Sequence, residues 1–150
     1  MTAGTHRWTV VAAALITATT AASGCARKAE PATVEWREPA GYTYDLDSAC
    51  GERALIGHFR ITVEKGRVTA AVGLDEPGRQ ALRTTRSDPA PTLGGLLDEV
   101  NQARDRGAAV AEVTTDPADG HPSKVTIDPI AEAVDDESCY TITGYTDVTP

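Results

Sequence analysis

The sequence contains few aromatic residues and no apolar run long enough to cross a membrane. Aromatic residues make up 5% of the 150-residue chain, and Phe59 is its single phenylalanine. A core built from so few large side chains is modest, and small domains of this kind often use a covalent cross-link. The mostly apolar stretch at residues 8–22 is shorter than the roughly 20 residues that a transmembrane helix needs.

The chain also lacks an excess of basic residues and the motifs of several enzyme classes. It has 14 Lys and Arg against 22 Asp and Glu, a formal net charge of −8. Nucleic-acid phosphates require clustered Lys and Arg, so nucleic acid is excluded as a partner. There is no phosphate-binding Gly-rich loop and no dinucleotide fingerprint, and we expect no cofactor.

Residues 1–24 have the features of a lipoprotein signal peptide. His6 and Arg7 form a short basic start, and residues 8–22 form an uncharged, mostly apolar region of the expected length. The small residues Ala22, Ser23 and Gly24 then precede Cys25, as in a lipobox. The pattern predicts cleavage before Cys25 and lipidation of its thiol.

Lipidation of Cys25 places the protein on the extracytoplasmic face of the cell membrane. Two or three acyl chains hold a protein stably, because each buried methylene contributes about 0.8 kcal/mol. Removing residues 1–24 takes away Arg7 and no acid, which leaves a formal charge of −9. Anionic lipid therefore does not attract the domain itself. Two alternatives remain, plain secretion after signal cleavage and a buried amino-terminal helix with a core cysteine.

After the signal peptide, the composition predicts a tether and one domain. Residues 25–41 mix charges, Ala and prolines without a helical or strand period, which predicts a flexible tether. Residues 42–150 are of the length of a single domain. Within them, Cys50 and Cys139 lie near opposite ends, and an oxidising compartment favours a disulfide between them. Two free thiols or a metal-binding pair are the alternatives.

Hydropathy patterns predict an α+β domain. Alternating apolar and polar residues predict strands at 42–47, 55–63, 68–72, 109–115, 123–128 and 139–145. Gly66 suits a hairpin turn between the second and third strands. Apolar residues at helical spacing from Leu93 to Val100, with Thr92 before them and Gly107 after them, predict one helix. Residues 74–91 are interpreted as a loop that could contain a helical turn at 78–84. The expected fold is an antiparallel sheet of five to six strands with one helix, in the order β-β-β-α-β-β-β.

The polar residues that could carry chemistry do not form a recognisable catalytic motif. His58 lies on the polar face of a strand and His121 in a proline-flanked turn, so both are expected to be exposed surface histidines rather than members of a triad. The acidic groups do not have the spacing of a calcium-binding EF-hand loop, and solvated turns are the favoured interpretation. A carboxylate pair for glycoside hydrolysis remains open on spacing alone. We expect no catalytic, cofactor or metal site; the acidic groups are Asp45/Asp47, Asp116/Asp119 and Asp135/Asp136/Glu137.

The tyrosines allow two interpretations. Tyr42 and Tyr44 lie near one end of the domain sequence, with Tyr140 and Tyr145 near the other. Aromatic residues are favoured as anchors at protein interfaces. They are also ordinary residues of a sheet core, and this is the favoured interpretation.

The pattern resembles a family of small uncharacterised bacterial lipoproteins, known as a domain of unknown function. The matching segments cover about Tyr42 to Thr146: Tyr42–Tyr44, Cys50, His58–Val63, Lys65–Gly66, Thr92–Val100, Asp119–Pro122, Val125, Ile127, Asp128, Asp135–Glu137 and Tyr140. The resemblance implies architecture and location and transfers no catalytic residue.

These observations favour a binding or interaction module that is anchored at the cell envelope through Cys25. The protein is not expected to be an enzyme, and its expected partners are the membrane, through the anchor, and an envelope protein. The alternatives are a small envelope hydrolase that uses scattered acids or His58 and His121, and an inhibitor or accessory subunit of an envelope protein.

Overall fold

The computed structural model describes Met1, residues 33–85 and residues 90–148. The predicted signal peptide and Cys25 lie outside the described residues. Residues 31–150 form one compact unit. None of the helices in the described ranges has the length and apolar character needed to cross a membrane.

The described chain forms six strands and two helices around one antiparallel sheet. In chain order they are β1 (Gly41–Ser48), β2 (Gly57–Glu64), β3 (Arg67–Gly73), α1 (Glu76–Thr84), α2 (Leu93–Asp105), β4 (Val110–Thr115), β5 (Pro122–Asp128) and β6 (Ser138–Asp147). The strand order is β3-β2-β1-β6-β5-β4, and every neighbouring pair is antiparallel. The first and last strands therefore meet at the centre, and each half of the sheet is built from three consecutive strands.

One face of the sheet carries the core. Tyr42, Tyr44 and Leu46 of β1 alternate inward and are almost fully buried, as are Phe59 and Ile61 of β2. Both helices pack on this face, α1 against β2 and β3, and α2 against β4 and β5. The apolar stripe of α2 is buried as its spacing predicts; it consists of Leu93, Leu96, Leu97, Val100 and Ala103.

The residues predicted to begin and end α2 and to form the turn between β2 and β3 are confirmed. The Thr92 hydroxyl accepts a hydrogen bond from the Gly95 N–H at 3.0 Å and caps the start of α2. Gly107 has φ 75° just after the helix, and Gly66 has φ 70° in the turn between β2 and β3. Both are conformations that glycine adopts without a steric penalty.

The prediction of a single helix is wrong, because α1 forms within the predicted loop 74–91. Asp75 caps this helix by accepting a hydrogen bond from the Gly78 N–H at 2.7 Å. Pro77 is tolerated because it lies in the first turn, where its missing N–H has no partner in the helix. Gly78 is buried where α1 meets the backbone of β2, and a Cβ there would collide with the His58 carbonyl. The helical turn predicted at 78–84 is thus part of a longer helix, in which Asp75 supplies the cap and Gly78 the close packing.

Candidate functional site

The segment just before β1 is docked on the domain. We call residues 33–40 the strap. Although the segment has no helix or strand, the Val34 N–H donates to the Asn101 amide oxygen at 3.3 Å, and the Asn101 amide group donates to the Val34 carbonyl at 3.2 Å. These residues belong to the predicted flexible tether 25–41, in which Trp36 was the one residue that indicated docking on the domain. The difference arises because the strap is held by contacts with residues that are far away in sequence.

Glu38 of the strap caps the start of α2. Its carboxylate accepts hydrogen bonds from the Tyr42 hydroxyl at 2.5 Å and from the Gly94 N–H at 3.2 Å. The same hydroxyl accepts a hydrogen bond from the Leu93 N–H at 2.8 Å. A carboxylate at a helix amino terminus is favoured by the free N–H groups and by the helix dipole. This helix terminus is therefore already occupied by Glu38 and does not offer a free site for an anionic ligand.

Burial and the Glu38 contact keep Tyr42 protonated. Burial raises the pKa of Tyr42 far above its ordinary value, and the hydrogen bond to Glu38 raises it further. Burial also raises the pKa of Tyr44, whose hydroxyl donates to the Pro91 carbonyl. Both hydroxyls thus act as hydrogen-bond donors that join β1 to other segments. With Tyr42, Tyr44 and Tyr140 at 0%, 1% and 4% exposure, the core interpretation of these tyrosines is confirmed.

An aromatic cluster lies where the strap, β1 and β6 meet. The Trp36 ring makes edge contacts with Tyr42 and Tyr145, with centroid distances of 5.9 and 6.0 Å. The His121 ring stacks on Tyr145 at 4.2 Å. We call this region the strap end of the sheet. It contains the start of β1, the end of β6 and the turn between β4 and β5.

The expectation that His121 is an exposed surface histidine is wrong. The residue is 9% exposed, because Tyr145 covers one side of the ring. Its Nδ1 lies 2.5 Å from the Asp119 carboxylate, and its backbone N–H donates to the same oxygen at 3.1 Å. Burial tends to raise the pKa of Asp119, but the two hydrogen bonds from His121 outweigh it, and the net shift is downward.

Asp116, Asp119 and His121 form the one group within the described ranges that could hold a metal ion. One ligand atom from each lies within 4.8 Å of the others. The same atoms already have partners within the turn, since Asp116 accepts from the Ala118 N–H at 2.8 Å and Asp119 is bonded to His121. This arrangement explains how the turn is held without an ion.

His58, Asp45 and Asp47 lie on the face of the sheet opposite the helices, whereas the acidic group 135–137 lies in the β5–β6 loop as predicted. His58 is exposed as predicted, and its Nε2 lies 3.4 Å from Asp47. Arg60 makes two hydrogen bonds of 2.7 Å to the Asp45 carboxylate. Asp45 and Asp47 are thus strand residues in cross-strand pairs, and not members of a solvated turn. In the part of the chain that the structure describes, neither His58 nor His121 is hydrogen-bonded to a serine, threonine or cysteine.

The opposite end of the sheet is cross-linked by a disulfide. Cys50, just after β1, is bonded to Cys139 at the start of β6. The Glu52 N–H donates to the Asp135 carbonyl at 3.0 Å and joins the same two segments. We call this region the disulfide end. The predicted cysteine pairing is present, and it connects the β1–β2 loop to the start of β6.

A groove runs between the strap and α2. It has a volume of about 790 Å³ and is open to solvent. Its walls include the strap from Thr33 to Glu38, together with Asp98 and Asn101 of α2. The strap itself forms one wall of the groove, so the groove results from the docking of the strap on α2.

Comparison with known proteins places the chain in a family. A family of unknown function, DUF6174, matches residues 25–147. The chain belongs to the DUF6174 family. No curated protein and no solved structure matches it. Membership thus supports the resemblance at the level of a domain of unknown function and assigns no activity.

Only some of the contacts in this DUF6174 domain could be predicted from its sequence. The sequence placed Cys50, Cys139 and the buried tyrosines correctly, but it did not indicate that Glu38 would cap α2 or that His121 would lie under Tyr145. The one signal for the strap was Trp36, an isolated tryptophan in a polar segment. Such a residue often docks on a nearby apolar surface, because exposing its ring to water is unfavourable.

Proposed function

We propose that this chain is an exported, membrane-anchored interaction module of the cell envelope. Residues 1–24 act as the signal peptide, and Cys25 carries the lipid. The domain that follows binds another envelope component. Export and lipidation are supported by the basic start, the apolar stretch and the small residues before Cys25. Both described histidines are engaged in structural pairs, His58 with Asp47 and His121 with Asp119, which supports a binding role over catalysis.

The docked strap is the observation that carries this proposal. Seven residues lie between Cys25 and Thr33, and the chain from Cys25 to Thr33 spans at most about 28 Å. Because the strap is fixed to α2 by Asn101 and Glu38, a lipid on Cys25 would hold the whole domain within reach of the membrane surface, where it meets other envelope components.

The experiment is fractionation of cells that express the full chain, combined with metabolic labelling by an alkyne-bearing palmitate. We expect the wild-type chain to be labelled and membrane-bound, and the Cys25→Ala variant to be unlabelled and released. The double variant Cys50→Ala/Cys139→Ala is the matched control, because it removes two cysteines and leaves Cys25. Labelling that persists in Cys25→Ala, or retention of the unlabelled variant in the membrane fraction, contradicts lipid anchoring through Cys25.

A further inference from the structure

The loop between β5 and β6 exposes two large aliphatic side chains. We call residues 129–137 the distal loop. Ile130 is 61% exposed and Val134 is 84% exposed. No other large hydrophobic residue between positions 33 and 85 or 90 and 148 is exposed beyond 57%. Two exposed aliphatic side chains in one short loop offer apolar contact area of the kind that interaction sites use.

The charge of the distal loop has one sign. Glu132, Asp135, Asp136 and Glu137 belong to the same loop as the two aliphatic residues, and residues 129–137 contain no Lys or Arg. Acidic groups of this density repel an anionic lipid surface and nucleic acid alike. They attract a protein surface that carries Lys or Arg, and they raise the rate at which the two surfaces meet.

The distal loop is held in one conformation. The Ile130 N–H donates to the Asp128 carboxylate at 3.1 Å, and the Ala133 N–H donates to the Ile130 carbonyl at 2.8 Å. The Asp135 carbonyl accepts from Glu52, and the disulfide at Cys139 follows directly. A loop that is already ordered loses little conformational entropy when it binds, so it suits recognition.

The distal loop lies at the opposite end of β6 from the aromatic cluster. Strand β6 begins at Ser138 beside the loop and ends at Asp147 at the strap end. Its ten residues span roughly 30 Å at about 3.3 Å per residue. A partner bound at the distal loop therefore does not need to contact Trp36, Tyr145 or His121.

We propose that the distal loop docks on an envelope protein through an apolar pocket for Ile130 and Val134 that is rimmed by Lys and Arg. The inference rests on the proposed function, which puts the domain in the compartment of that partner. The aliphatic pair supplies the apolar contact, and the carboxylates select a cationic rim. The disulfide and the Glu52–Asp135 hydrogen bond keep the loop in the shape that the pocket recognises.

The test is photo-cross-linking in intact cells with the full chain, carrying a photoreactive residue at position 130. The same residue at position 148 is the matched control, because Val148 is 50% exposed but lies at the strap end. We expect one envelope protein to be captured from position 130 and not from 148. Its cross-linked peptide, identified by mass spectrometry, should combine apolar residues with Lys or Arg.

Two substitutions make the test specific. With the cross-linker at position 130, Val134→Ser and Glu132→Lys should each lower the yield about tenfold, as expected for loss of a central contact or reversal of a complementary charge. Val148→Ser and Glu64→Lys, at exposed positions near the start of β1, should leave it unchanged. Since Val134 and Glu132 are exposed, these changes leave the core intact.

Several outcomes overturn the inference. They are capture of a second copy of this chain, capture of lipid alone, equal capture from positions 130 and 148, no capture, and a yield that Glu132→Lys does not change. Palmitate labelling and fractionation of the same cells separate this failure from failure of the proposed function. A labelled, membrane-bound chain without specific capture refutes the docking surface alone, whereas an unlabelled, released chain refutes the anchor.

Discussion

Removal of the Tyr42 hydroxyl tests whether the strap is an integral part of the domain. The hydroxyl donates to Glu38 and accepts from the Leu93 N–H, so it joins the strap, β1 and the first turn of α2. Tyr42 and Leu93 are both 0% exposed. Tyr42→Phe keeps the ring in the core and deletes both hydrogen bonds.

The expected loss of stability follows from the two bonds. Without the hydroxyl, the Leu93 N–H is buried and unpaired, which costs about 1 to 3 kcal/mol. The lost bond to the Glu38 carboxylate adds roughly 1 kcal/mol, because that carboxylate keeps the Gly94 N–H and is partly open to solvent. We therefore expect Tyr42→Phe to lower the free energy of unfolding by about 2 to 4 kcal/mol.

The assay is urea unfolding, followed by circular dichroism for the sheet and by tryptophan fluorescence for the strap. Tyr145→Phe is the control, because no hydrogen bond of its hydroxyl is found in the described residues, and it should change stability by under about 0.5 kcal/mol. A double-mutant cycle with Glu38→Gln should give a coupling of roughly 0.5 to 3 kcal/mol. If Tyr42→Phe unfolds within about 0.5 kcal/mol of wild type, the bridging role is refuted.

Two further predictions concern the disulfide and the His121 turn. Replacing both Cys50 and Cys139 by alanine removes a cross-link across 89 residues. It should lower the unfolding free energy in urea by about 4 to 5 kcal/mol in the chain-entropy model, and a loss below about 1 kcal/mol would contradict the prediction. Because the folded-state pKa of Asp119 lies below its ordinary value of 3.8, its contribution is fully present above that pH. The contribution is lost as the pH falls through the folded pKa. Asp119→Asn should therefore flatten the pH dependence of stability below about pH 4; identical profiles for variant and wild type would show that the His121 pairing does not stabilise the fold.

The elements that the sequence predicts well are those whose causes are local. Alternation of apolar and polar residues determines which face of β1 and β2 is buried, and β1 buries the face that carries Tyr42 and Tyr44. Thr92 and Gly107 delimit α2 through hydrogen bonding and backbone geometry within a few residues. In each case the residues that determine the element lie inside it or next to it.

The features that the sequence does not predict depend on residues that are distant along the chain. Val34 and Asn101 are 67 residues apart, and Glu38 and Gly94 are 56 apart. Neither pair produces a periodic hydropathy pattern from which the contact could be predicted. Helix α1 was missed for a related reason, since Gly78 is a poor helix former and is required there by the backbone of β2. Once tertiary contacts decide a conformation, intrinsic propensity is a weak guide.

The same distinction indicates where the function of the domain should be sought. Glu38, Asp119 and His121 could each have served a ligand, but their polar atoms are engaged in contacts that hold the strap or the β4–β5 turn. The distal loop differs, because Ile130 and Val134 contribute little to the core and are exposed to water in a loop that is otherwise well fixed. Side chains that are exposed to water do not stabilise the fold. A partner surface that covers them removes their apolar area from water, which favours binding. Structural contacts explain the polar residues of the strap end, and they leave the aliphatic residues of the distal loop to be explained by binding.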